Sequence, residues 1–160
     1  NIGSNDSTNI VIKIPAINGP FNEKIIFSAE LDTLPSTGNI TYNFINKYHE
    51  FVGGAISPGL EMRLKSLNYY TAKLPLVRAD SNIPLMGYDT NTNILTGVVM
   101  GMAKEIDGFI EEYEEKFNNF NVLLTGGDIV YLASHLKNKI FADPDLIFKG
   151  LYAISEVNNP

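Results

Sequence analysis

Two regimes of hydrophobic and polar spacing divide this chain. Up to residue 38, short apolar runs are separated by turn residues. Asn1 to Asn9 is a polar turn, Ile10 to Ile14 a strand-like run stopped by Pro15, Asn18-Gly19-Pro20 a second turn, and Glu23 to Leu31, centred on Ile25, Ile26 and Phe27, a strand candidate. Leu34 to Gly38 breaks the pattern again. From Asn39 the periods become regular. Ile40 to Ile45 alternates, Asn46 to His49 turns, and Glu50-Phe51-Val52 returns as the second arm of a hairpin that delivers the chain to Gly53. The stretch Gly53 to Arg63 reads as a strand end, a glycine turn and a helix start, with Ser57 as N-cap and Pro58 in the first helical position, where no amide donor is missed. Leu95, Val98, Val99, Met102, Ile106, Phe109, Ile110, Tyr113 and Phe117 recur at spacings of three and four, so Ile94 to Phe117 is the clearest helix. Within it, Gly97 and Gly101 offer a place for another backbone to approach, within the subunit or across a dimer. Val122 to Thr125 reads as a short buried strand, Gly126-Gly127 as a tight turn, and Asp128 as the cap of a helix reaching Leu136. Asp143-Pro144-Asp145 introduces Leu146-Ile147-Phe148, and Gly150 to Ile154 closes with a short helix. A hairpin followed by alternating helices and strands predicts an α/β fold with a mixed sheet.

Composition narrows the partners. With 160 residues, 44% hydrophobic and 19% charged, the chain suffices for one sizeable core and not for two. Its net charge of -6 repels nucleic acid and anionic membrane surfaces, so neither is expected as a partner, and a small solute or another protein is. There is no cysteine, which removes disulfides, thiolate metal sites and cysteine nucleophiles. No apolar run approaches the roughly 20 residues of a membrane span, and the N-terminus lacks a signal-peptide pattern. A soluble cytoplasmic protein is expected.

The candidate chemistry is sparse. Glu105, Asp107, Glu111, Glu112, Glu114 and Glu115 form an acidic run that reads as a solvated helix face. His49 and His135 have no neighbours that suggest a catalytic triad, His and Cys metal sets are lacking, and no Gly-x-x-x-x-Gly-Lys-Ser/Thr loop occurs. What remains is a set of glycine turns with hydroxyl residues: Gly3-Ser4-Asn5, Thr37-Gly38 with Thr41, Gly53-Gly54, and Gly126-Gly127-Asp128. Backbone amides and small residues at strand ends can hold phosphates, as can a free helix N-terminus such as the one after Pro58. Phosphoryl transfer by such loops calls for a divalent metal carried largely by the nucleotide and a carboxylate for the attacking hydroxyl. Each turn taken singly is equally a plain connection.

Together these segments resemble a known family. Gly53-Gly54-Ala55-Ile56-Ser57-Pro58-Gly59-Leu60, Ala72-Lys73-Leu74-Pro75, Gly87 with Thr90 and Gly97, Leu124-Thr125-Gly126-Gly127-Asp128, and Pro144-Asp145-Leu146 with Gly150-Leu151 are similar in order and spacing to the C-terminal half of type III pantothenate kinases, from Ile40 to Glu156. The resemblance implies the acetate kinase, Hsp70 and actin superfamily, with an RNase H-like (actin-like ATPase) fold. Residues 1–38 are then a remnant of a truncated N-terminal half and residues 39–160 the C-terminal domain. It implies a cytoplasmic homodimer that transfers the γ-phosphate of ATP to pantothenate, giving 4′-phosphopantothenate in the first step of coenzyme A synthesis, with Mg²⁺ and a monovalent cation, K⁺ or NH₄⁺. It assigns ATP contacts to Gly3, Ser4, Asn5, Thr41, Gly126 and Gly127, and substrate contacts to Thr90, Gly53 and Gly54.

The chain departs from the family pattern in its first half. Pro35 stands where the motif Asp-x-Gly-Thr-x-x-Thr has its cation-binding aspartate, Thr37-Gly38 reverses the Gly-Thr, and Asn1 replaces the opening aspartate. The Gly-x-Asp-Arg segment, whose aspartate accepts the proton in the family, has no counterpart, because no Asp-Arg pair occurs in the sequence. The catalytic residue therefore stays unassigned. The alternative is a noncatalytic nucleotide- or pantothenate-binding or dimerisation module derived from the kinase.

Overall fold

A computed structural model describes residues 23–29, 38–117 and 119–158. The turns and strand-like run expected before residue 23, including Gly3, Ser4 and Asn5, lie outside the described residues, as does Pro35. Five strands form one mixed sheet: β1 (Glu23–Ala29), β2 (Asn39–Ile45), β3 (Phe51–Pro58), β4 (Phe120–Gly126) and β5 (Phe141–Ala142), in the order β3-β2-β1-β4-β5. Antiparallel pairing joins β3 to β2 and β2 to β1, whereas β4 runs parallel to β1 and to β5. The sheet crosses the boundary expected at residue 38: β1 is its middle strand.

Among the described residues four helices accompany the sheet: α1 (Leu60–Tyr69), α2 (Thr90–Phe117), α3 (Ile129–Leu132) and α4 (Leu146–Asn158). The alternation along β2 sorts its side chains. Ile40, Tyr42 and Phe44 are buried in the core, and the residues between them are half-buried on the other face. β4 is buried without alternation, Phe120 to Thr125 all lying inside with Asn121 and Thr125 as its polar members, as befits a strand with parallel neighbours on both sides. Against this face lies α2, roughly 42 Å long at the usual rise per residue. Val99, Met102, Ala103, Ile106 and Ile110 are fully buried along its inner stripe. At its C-terminal end Phe117 stacks on Phe44 with ring centroids 4.2 Å apart, and Phe109 lies 4.3 Å from the ring of Tyr42. Among the described residues nothing lies within 4 Å of a Cβ built on Gly97 or Gly101, so the close backbone approach expected there is not made within the described chain.

Several local expectations are corrected. Strand β3 does not end at Gly53-Gly54 but runs on to Pro58, so Ser57 and Pro58 are strand residues. Gly59 occupies the N-cap of α1 and makes no side-chain cap bond. The ladder between β2 and β3 shifts register at Phe44/Ile45, because Phe44 pairs with Gly53 and Ile45 with Phe51, which leaves Val52 as a bulge. The helix expected from Asp128 to Leu136 is the single turn α3 followed by a 3-10 turn at Ala133–His135. The C-terminal segment is one thirteen-residue helix, α4, starting at Leu146 rather than after Gly150. The acidic run on α2 is only partly a solvated face. Asp107 is 3% exposed and accepts hydrogen bonds from the backbone amides of Lys137 and Asn138, both at 3.1 Å, which pins the segment after the 3-10 turn to α2. No helix among the described residues is long and apolar enough to cross a membrane.

Candidate functional site

The first place of interest is the end of the sheet where the parallel strands β1 and β4 finish, the end at which open α/β sheets bind ligands. Ala29 pairs with Gly126 on one side and with Ile40 on the other. One register row further in, Ser28 pairs with both Thr41 and Thr125, so the two threonines flank β1 about 10 Å apart, two strand spacings. Each alternates with core residues, Thr41 with Ile40 and Tyr42, Thr125 with Leu124, and so both side chains project from the sheet face opposite α1 and α2. Thr125 is 1% exposed, and its hydroxyl is buried with no hydrogen-bond partner among the described residues. That is an uncommon state, because an unmade bond to a buried hydroxyl costs about 1–3 kcal/mol.

Gly126 follows with φ of 101°, a backbone conformation that side chains disfavour, and the Gly126-Gly127 turn carries the chain around the strand end to Asp128. There the carboxylate of Asp128 meets the N-terminus of α1. Burial pushes its carboxyl above the usual range, a hydrogen bond from the Leu60 amide pulls it back, and Glu61 nearby adds to the rise. The amide of Gly59 donates to the Gly38 carbonyl at 3.0 Å. The helix N-terminus expected to hold an anion thus already faces a carboxylate supplied by the chain.

The second place is an open cavity of about 710 Å³ between α1, the start of α2 and the irregular segment between them. Leu67, Leu74, Ile94 and Val98 line it with apolar surface, Ser66, Thr90 and Asn93 with polar groups, and Arg63 with a charge. Asp89 caps the helix beside it. The Thr92 amide donates to its carboxylate at 2.8 Å and the Thr92 hydroxyl at 2.9 Å, and these bonds hold the Asp89 carboxyl below its usual value, while the Asp89 amide donates back to the Thr92 hydroxyl at 3.1 Å.

Between the cavity and the sheet stands a polar cluster without a local sequence signature. Glu105 of α2 accepts from the Tyr42 hydroxyl at 2.6 Å, from the Ser57 hydroxyl, and from Arg63 Nη2 at 2.5 Å. Arg63 Nε also donates to the Pro58 carbonyl at 2.7 Å. Burial works to raise the Glu105 carboxyl, but the three donors and the guanidinium charge outweigh it and hold it below its ordinary value. Tyr42, by contrast, is pushed well up, first by burial and then by its bond to Glu105. The cluster ties β2, β3, α1 and α2 together.

Of the residues singled out from the sequence, Thr41, Gly126 and Gly127 come to one end of the sheet, whereas Thr90 lines the cavity on the opposite, helix-bearing side. Gly53 and Gly54 sit on the edge strand, paired with Phe44 and Asn43, and neither lines the cavity. Reasoning from sequence missed Arg63, Glu105 and Thr125. The signal for Thr125 was its place before two glycines at a strand end, while nothing in the spacing of Arg63 and Glu105 announces their pairing.

This architecture defines an α/β protein of the class that presents a glycine turn at the carboxyl ends of parallel strands, beside a helix-walled cavity of small-molecule size. The model of the type III pantothenate kinase family matches residues 37–112. Proteins named type III pantothenate kinase are similar in sequence: that of Flavobacterium johnsoniae is 48% identical over 112 residues, covering 70% of this chain and 46% of the relative. That of Cytophaga hutchinsonii is 46% identical over 119 residues, with 74% and 51% covered. That of Bacteroides fragilis is 47% identical over 120 residues, with 75% and 49% covered. The chain belongs to the type III pantothenate kinase family and spans about half the length of these relatives. A crystal structure from Campylobacter jejuni, described as that of a candidate Baf family transcriptional activator, shares the fold with a TM-score of 0.57 at 23% identity, covering 87% of this chain and 60% of that one.

Proposed function

We propose that this chain forms the part of a type III pantothenate kinase that carries the glycine turn for ATP and a wall of the pantothenate site. The observation that supports it most is the convergence of Thr41 and the Gly126-Gly127 turn, far apart in sequence, on one end of the sheet. The strand order β3-β2-β1-β4-β5, with one antiparallel and one parallel side, supports an RNase H-like reading of the domain. In this reading Thr41 and the glycine turn contact ATP, with Mg²⁺ held mainly by the phosphates and a monovalent cation completing the charge neutralisation. Thr90 contacts pantothenate, and the enzyme is a cytoplasmic homodimer.

In the transfer, an oxygen–phosphorus bond forms between the pantothenate hydroxyl and the γ-phosphorus, the bridging bond to the β-phosphate breaks, and the hydroxyl proton passes to a carboxylate. No residue of this chain is assigned that last role. Binding of both ligands by the chain is therefore expected to exceed its turnover. The test is incubation of the full chain with ATP, Mg²⁺, K⁺ and pantothenate, with phosphopantothenate followed by mass spectrometry and binding of each ligand by calorimetry. Absence of affinity for both ligands would overturn the reading.

A further inference from the structure

We infer that Arg63 is the residue through which the cavity between α1 and α2 recognises an acid: the carboxylate of pantothenate, on the reading above, sits against its guanidinium. Arg63 supplies the charge in a lining otherwise built from neutral side chains and Gly97. Its guanidinium is held on two sides, Nε by the Pro58 carbonyl at 2.7 Å and Nη2 by Glu105 at 2.5 Å and the Ser57 hydroxyl at 3.4 Å. Among the described residues nothing accepts from Nη1. Two N–H groups of a fixed planar fork are thus left to donate, on a side chain that is 22% exposed and borders the cavity.

Glu105 is itself held by Tyr42 and Ser57, so the ordering cost of the arginine is met in folding rather than in binding. Because the Arg63–Glu105 pair carries no net charge, recognition comes from the directed N–H groups more than from a positive field, and a lysine cannot reproduce it. Ser66, Thr90 and Asn93 are placed to bond the amide and hydroxyl groups of such a ligand, and Leu67, Ile94 and Val98 to cover its apolar body. The ligand class is a small carboxylic acid with an apolar, hydroxylated acyl part.

The test is calorimetry on the full chain with pantothenate and with pantothenol, the same skeleton in which a neutral CH₂OH replaces the carboxylate. The wild-type chain is expected to prefer the acid by on the order of tenfold to a hundredfold, the range of a hydrogen bond to a charged group. The double variant Arg63→Met/Glu105→Gln removes both charges together, so neither is left unpaired. Its affinity for pantothenate is expected to fall to that for pantothenol, with pantothenol unchanged. Arg63→Lys keeps the ion pair and is expected to lose most of the preference. It carries the test if the double variant does not melt cooperatively. Equal binding of the two ligands by wild type, or a preference that survives in the variants, overturns the role of Arg63 alone. Binding of neither ligand overturns the pantothenate cavity with it.

Discussion

Replacing Gly54 by alanine tests whether the glycines of β3 serve strand geometry or a ligand. A Cβ built there falls 1.7 Å from the Tyr42 carbonyl oxygen, 2.8 Å from its carbon and 3.4 Å from Asn43 Cα. All three are backbone atoms, so no side chain can swing aside. Restoring ordinary contact means moving β3 away from β2 by about 1.5 Å, which takes the local spacing from about 4.8 Å to beyond 6 Å and out of hydrogen-bond reach. About two ladder bonds at roughly 1 kcal/mol each, with about 1–3 kcal/mol of residual overpacking, give a destabilisation of roughly 3–5 kcal/mol. For a domain of this size that lowers Tm by roughly 6–20 °C. Thermal melts followed by circular dichroism read it directly. Gly53→Ala is the internal control: among the described residues its Cβ meets nothing within 4 Å, and only the strain of φ 155° opposes it, so a loss of about 1–3 kcal/mol, below that of Gly54→Ala, is expected. A Gly54→Ala protein that melts within 2 °C of wild type, roughly half a kcal/mol, would refute the steric argument. If that protein also lost ligand affinity, the glycine would serve binding instead.

Three further outcomes are expected. Glu105→Gln removes a carboxylate whose folded value lies below its ordinary 4.5, so the charged form stabilises the fold above that pH and the contribution is lost as pH falls through the lowered value. A deficit of roughly 1–2 kcal/mol at pH 7, discounted for a side chain that is one-quarter exposed, should shrink in urea titrations as the pH is taken below the ordinary carboxylate range, and a deficit that does not change with pH contradicts the assignment. Asp107→Ala leaves the Lys137 and Asn138 amides without their acceptor and should cost about 2–4 kcal/mol. Hydrogen exchange at those two amides should accelerate more than at the β4 amides, and unchanged protection there would count against the docking role. Thr125→Val removes a hydroxyl without a partner among the described residues at nearly constant volume, so the protein should be as stable or up to about 1 kcal/mol more stable. A clear drop in ligand-free stability would mean that the hydroxyl has a partner.

The elements that could be read from the residues are those whose partners are close in sequence or whose period is long. The β2–β3 hairpin, the long helix α2 and the apolar run of β4 belong to this group. The two-residue strand β5 carries too little pattern to be seen. Ser57-Pro58 was misleading because a good capping pair is also tolerated at a strand end, and which role it takes depends on Gly59 reaching the Gly38 carbonyl. Glu105 and Asp107 looked like members of a solvated run, yet they lie three residues after Met102 and four after Ala103, on the two borders of the buried stripe. Their partners lie on other elements, and the acidic run gives no hint of them. The site was legible only in part for a similar reason: a glycine turn announces itself locally, whereas the Arg63–Glu105 pairing and the burial of the Thr125 hydroxyl arise from tertiary placement.

The central place of β1 has a consequence for how the molecule is made. Its partner on one side, β2, follows almost at once, but on the other side Glu23 must find Phe120. During synthesis the ribbon of β1, β2 and β3 therefore emerges with one side of β1 unpaired, and that side waits for nearly the whole chain before β4 closes it. Refolding should be limited by this late parallel docking rather than by the hairpin. Trimming the N-terminal residues through Ala29 as a dispensable leader would remove the strand that joins the β2–β3 ribbon to the β4–β5 pair.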